Sequence, residues 1–128
     1  FNAGPGTETI IRQTAETILH LAELGGAIII GRGGNLITAR LKNVLHVRLV
    51  APLEQRVQHA HAFYNMSEKA AREFCVQEDQ GRRRYLKKYF NSDPDDPLLQ
   101  HLVINTGMVS YDEAARLLAD AVLARLPK

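Results

Sequence analysis

Ala27 to Ile30 is a run of four apolar residues, three of them isoleucine, that ends directly on the glycine-rich stretch GRGGN. A strand with no polar face has nothing to offer water, so it belongs in a parallel sheet covered on both sides. The glycines turn the chain sharply at the carboxyl end of that strand, where open α/β sheets place their ligands. This one segment therefore calls for helices on either side of it.

The neighbouring residues supply them. TETIIRQTAETILHLAEL repeats apolar side chains at helical spacing through Ile11, Ala15, Ile18 and Ala22, and Gly25 follows as a C-cap. NVLHVRLVA, Asn43 to Ala51, reads as a second strand with a partly polar face, its core spanning Val44 to Val50. Pro52 stops it and suits the first turn of a helix over PLEQRVQHAHAFY. MSEKAAREFCVQEDQGRRRYLKKYF predicts a long helix with Ser67 as N-cap and Gly81 as a point where it can break. NSDPDDP is turn chemistry, Leu102 to Thr106 a third strand, and SYDEAARLLADAVLARL a closing helix with a capping box from Ser110 to Glu113. Alternating strands and helices predict an α/β fold with a parallel sheet, in a single domain over residues 1–128.

Composition narrows the function classes. Apolar residues make up 45% of the chain and charged residues 23%, enough for a packed core and too apolar for a disordered chain. No apolar run approaches the roughly 20 residues that a membrane helix needs, so no membrane partner is expected. A formal charge of +2 gives no reason to expect a nucleic-acid partner. Cys75 is the only cysteine, which rules out an internal disulfide and fits a reducing compartment, so the cytoplasm is expected. The chain opens at Phe1, which suggests a product of something longer. His59 and His61 stand two apart on a helix and face different ways, while His46 and His101 read as strand or turn residues. No metal site is expected among them.

The glycine loop by itself leaves two readings. GRGGNLIT has neither the lysine nor the hydroxyl of a phosphate-binding P-loop, and Leu36 stands where a dinucleotide fingerprint needs its third glycine. It is either a ligand loop with Arg32 as an anion clamp, or a glycine-rich turn carrying a solvated arginine.

Taken together, IIIGRGGNLI, NVLHVRLVAPLEQRV, EDQGRRRYLKKYF and DDPLLQHLVINTGMVSYDEAARLL, in this order and spacing from Ala27 to Leu118, resemble the cytidylate kinase-like family of P-loop nucleoside monophosphate kinases. The resemblance implies a three-layer α/β/α kinase fold in which a nucleoside triphosphate, with ATP and Mg2+ as cofactors, phosphorylates a CMP-like nucleoside monophosphate. It implies that Gly31, Arg32, Gly33, Gly34, Asn35 and Arg84 contact the acceptor, and that Arg82 and Arg83 are lid-type catalytic arginines. The family motif reads G-R-D where this chain has Gly33 in third place, a departure that touches recognition of the acceptor's base or sugar. Lys87 and Lys88 extend the basic cluster, Arg83 sharing a face with Lys87 and Arg84 with Lys88. As a bare pattern the cluster also fits a solvated helix face balanced by Glu78 and Asp79. Tyr85 and Tyr89 read as core or lid packing, and Cys75 as a packed residue.

The family's first strand, P-loop and helix have no counterpart in FNAGPGTETI. Family topology, a parallel sheet ordered 2-3-1-4-5, puts that strand between Ala27 to Ile30 and Val44 to Val50. What remains is an incomplete P-loop kinase-like fold that must re-pair, borrow a strand from another copy as a homo-oligomer, or be completed by an N-terminal segment of a longer polypeptide. The expectation is a cytidylate kinase-like domain inactive as this isolated chain. The alternative is a non-catalytic nucleotide-binding or protein-interaction module.

Overall fold

The computed structural model describes residues 6–126, and within them the elements are α1 (Thr7–Leu24), α2 (Gly34–Ile37), β1 (Val47–Val50), α3 (Leu53–Phe63), α4 (Glu68–Phe90), a 3-10 turn (Pro97–Leu99), β2 (Leu102–Asn105) and α5 (Tyr111–Arg125). Residues 1–5, read above as carrying no phosphate loop, lie outside the described residues. β1 and β2 run parallel in register, Val47 opposite Leu102 and Val50 opposite Asn105. Parallel strands need a crossover, and α3 and α4 supply it. The fold is α/β with a parallel sheet.

The helix ends follow their sequence signals. The N–H of Gly25, at φ 75°, donates to the Leu21 carbonyl and ends α1. Ser67 Oγ accepts from the Ala70 N–H at the start of α4, and Ser110 Oγ from the Glu113 N–H at the start of α5. Gly81 does not interrupt α4, contrary to the sequence expectation. A single glycine costs a helix only about 1 kcal/mol, which the contacts of α4 on either side of it offset.

The main core lies between α3 and α4. Val57 and Ala60 of α3 are buried against Ala71 and Cys75 of α4, with Leu53 and Met66 packed at the margin. Three of these four buried side chains are alanine or cysteine, small enough to let the two helices approach closely. Cys75 is packed as expected.

The strand predicted over residues 27–30 does not form. Among the described residues the sheet has two strands only, and Ile28 and Ile30 are 94% and 89% exposed. Ile29 alone turns inward, its Cγ2 within 3.0 Å of the Cβ position of Gly34. A strand exists through the ladder it makes with a neighbour, and no described segment lies beside this run to pair with it. The second strand also starts later than predicted, at Val47, because its partner β2 begins opposite that residue.

Candidate functional site

The glycine loop is a left-handed turn. Gly31, Arg32 and Gly33 have φ of 72°, 59° and 69°, and the N–H of Gly34 closes the turn on the Gly31 carbonyl at 3.0 Å. Two of the three are glycines, which hold this backbone without a Cβ clash. Arg32 has no such freedom. Its left-handed backbone costs about 1–2 kcal/mol, a strain that the surrounding turn maintains.

This loop rests on the last turns of α4. A Cβ at Gly33 would stand 2.6 Å from the Phe90 ring, so only glycine fits there without moving the ring. Arg32 acts electrostatically on the Tyr85 phenol, which burial pushes upward in pKa while Arg32 pulls the other way. Tyr85 packs against Tyr89 and Phe90, with ring centroids 5.3 and 5.9 Å apart. The structure thus brings Arg32 and Gly33 to the helix that carries the basic cluster. Gly34 is buried against Ile29, and Asn35 is half-buried in α2.

The cluster itself divides. Arg82 reaches Asp79 at 3.4 Å, and Arg56 of α3 holds the same carboxylate oxygen at 2.8 Å. Burial pushes the Asp79 carboxyl up, but Arg56 and Arg82 outweigh it and leave the group below the usual aspartate range. Arg83 bridges Asp95 at 3.0 Å and Asp93 at 3.5 Å, while Arg48 of β1 approaches Asp95 at 3.6 Å. Arg84 is exposed and, like Arg32, has no carboxylate partner among the described residues. Lys87 donates to Asn91 Oδ1, and Lys88 lies over the Tyr89 ring. A groove of about 530 Å³ opens beside Arg83, lined further by Lys87, Asn91, Ser92, Asp93 and Asp96.

The sequence reading placed Arg82 and Arg83 with Arg84, but only Arg84 is left uncommitted. It named Asp79, which pairs with Arg82, as a balancing charge, and missed Asp93 and Asp95, which pair with Arg83. NSDPDDP does make the turns expected of it, with Asp93 accepting from the Asp95 N–H and Asp96 from the Leu98 N–H. Three acidic residues nine to twelve positions beyond Arg84, and Asp79 three before Arg82, were the available signal for the ion pairs.

The Asp79 network yields a measurable expectation. With a depressed folded-state pKa, its contribution is present above the ordinary aspartate value of 3.8 and is lost as pH falls through the folded value. Asp79→Asn is expected to cost about 0.5–1 kcal/mol at neutral pH, the range for partly exposed ion pairs. Denaturant unfolding at pH 7 and pH 3 checks it: the gap between the variant and the parent chain narrows at the lower pH.

A parallel crossover unit, with a strained arginine in a glycine turn set against a basic helix, defines an α/β domain. The model of the cytidylate kinase-like family matches residues 4–108, and the chain belongs to that family. A solved structure of an uncharacterized protein from Eubacterium ventriosum superposes with a TM-score of 0.83 at 18% identity, covering 95% of this chain and 69% of that one. It shares the fold. A relative from Corynebacterium glutamicum described as a uronate isomerase is 31% identical over 116 residues, 91% of this chain. The chain spans only 22% of that relative's length. No helix among the described residues is long and apolar enough to cross a membrane.

Proposed function

We propose that this chain is the acceptor and lid side of a nucleoside monophosphate kinase-like domain, binding the phosphate of a CMP-like nucleotide through Arg32 and Arg84. The observation that carries this reading is Arg32, held at φ 59° in a turn of glycines, exposed and without a carboxylate partner among the described residues. A planar guanidinium there can take two phosphate oxygens at once, and flanking glycines let the ligand approach the backbone. Arg82 and Arg83 enter only by exchanging Asp79, Asp93 and Asp95 for phosphate oxygens as the helix end closes over the ligand. The full family reaction needs ATP and Mg2+. Among the described residues no group of three or more His, Cys, Asp or Glu is placed to hold a metal ion.

In this reading the exposed isoleucines of residues 27–30 and the open edge of β1 are completed by a further parallel strand, from an N-terminal segment or a second copy, in a cytoplasmic protein. The pairing of Arg82 and Arg83 with acidic residues favours one second reading, a module that keeps the fold and binds without phosphoryl transfer.

Titration calorimetry with CMP is expected to show binding that Arg32→Ala weakens by about tenfold or more, the loss of a charge-assisted bidentate contact. The 128-residue chain is expected to give no CMP phosphorylation with ATP and Mg2+, because its sequence holds no P-loop. Unchanged CMP affinity in Arg32→Ala overturns the acceptor reading. Absence of binding to CMP, CDP and ATP alike favours the interaction module.

A further inference from the structure

The left-handed backbone of Arg32 persists where its surroundings over-determine it. Phe90 meets the turn on one side, at Gly33. On the other side Gly34 is held at both of its polar ends. Its N–H closes the turn on the Gly31 carbonyl at 3.0 Å, and its carbonyl takes two donors from Thr38, the backbone N–H at 3.0 Å and the side-chain hydroxyl at 2.7 Å. Helix α2 has four residues and cannot fix the turn unaided, since isolated helices shorter than about 12 residues are marginal.

Thr38 is itself tied to the sheet. It is 1% exposed, and its hydroxyl oxygen lies 2.9 Å from Nε2 of His46, which is 7% exposed. With its own proton on the Gly34 carbonyl, that oxygen accepts from Nε2–H of His46. Nε2 keeps this proton whether or not Nδ1 carries one, so the link does not depend on the charge of the ring. His46 stands just before β1, and its carbonyl accepts from the N–H groups of His101 at 2.8 Å and Leu102 at 3.3 Å. An unbroken series of hydrogen bonds therefore runs from the leading end of the sheet through His46 and Thr38 to Gly34, and across the turn to Gly31.

We infer that Thr38 and His46 are positioning residues for Arg32: their buried side-chain hydrogen bond ties the glycine turn to the sheet and holds the arginine in the conformation that receives an anionic ligand. The inference rests on the acceptor reading for its ligand, and on hydrogen-bond geometry alone for the turn. A valine would fill the same buried volume as Thr38. The hydroxyl is what a valine lacks, and in the buried site it is satisfied both as donor and as acceptor. Removing it frees the Gly34 carbonyl of one of its two bonds and leaves Nε2–H of His46 buried without its partner. The turn then has less to hold it against the cost of the left-handed arginine.

The test compares Thr38→Val, which keeps the volume and removes the hydroxyl, with Thr38→Ser, which keeps the hydroxyl. In 15N-resolved amide exchange, Thr38→Val is expected to cost the Gly34 amide about tenfold in protection while the Val57 and Ala71 amides of the α3–α4 core keep theirs, and Thr38→Ser to retain all three. CMP affinity by titration calorimetry is expected to follow the same order, falling about threefold to tenfold in Thr38→Val as the turn spends less of its time in the competent form. His46→Leu cuts the tie to β1 from the other end, is expected to give the same pattern, and decides the matter if Thr38→Val does not fold. A Gly34 amide unchanged in the folded variant, equal loss at Gly34, Val57 and Ala71, or no recovery in Thr38→Ser overturns the inference, as does a loosened turn that binds CMP as tightly as the parent chain. A parent chain that binds no CMP sinks the acceptor reading instead, and the exchange result then decides by itself whether Thr38 and His46 hold the turn.

Discussion

Gly33→Ala is expected to lower the unfolding free energy by about 2–5 kcal/mol, from a backbone penalty of roughly 1–2 and a packing penalty of roughly 1–3. The backbone penalty follows from φ 69°, which an L side chain adopts only with strain. The packing penalty follows from the alanine methyl, which would sit 2.6 Å from Cε2 and 2.8 Å from Cζ of Phe90. Denaturant unfolding at constant m-value measures the sum. Gly31→Ala separates the two penalties, because Gly31 has a similar φ of 72° and nothing within 4 Å of its Cβ position. It should lose the backbone share alone. If the two variants are equally destabilised, the contact between the loop and α4 is not what makes Gly33 necessary.

Val57→Ala carries the next largest effect, about 2–3 kcal/mol. Val57 has no exposed surface, and its buried neighbours Ala60, Ala71 and Cys75 are too small to collapse into the space left by two methyl groups. The loss is therefore transfer energy plus a persistent cavity. Ile28→Ala removes more hydrocarbon at a position 94% exposed and should stay within about 0.5 kcal/mol. The comparison is direct in the chain as it stands: thermal and denaturant midpoints should fall for the α3 variant and hold for the loop variant. A large effect at Ile28 would mean that residues 27–30 are already paired in solution.

These positions also mark what sequence reading reaches. Helices α1, α4 and α5 were legible because helical hydrogen bonds are local and apolar side chains recur on one face. Their caps at Gly25, Ser67 and Ser110 were legible for the same reason. β1 and β2 were legible as apolar segments, but their limits were not, since register belongs to the pair. The apolar run 27–30 shows the limit most plainly. Its composition states a preference for burial, and nothing in it can state whether a partner strand is at hand.

The site divides along the same line. The sequence by itself determined that an arginine stands among glycines at the end of an apolar run, that a basic stretch lies on a long helix, and that an acidic turn follows. Only the tertiary structure decided that Phe90 closes over Gly33, that Arg83 spends its charge on Asp93 and Asp95, and that Thr38 links His46 to Gly34. Backbone conformation and helix periodicity are set over a few residues, whereas ion pairs, ring contacts and buried hydrogen bonds depend on which distant segments the fold brings within a few ångströms of one another.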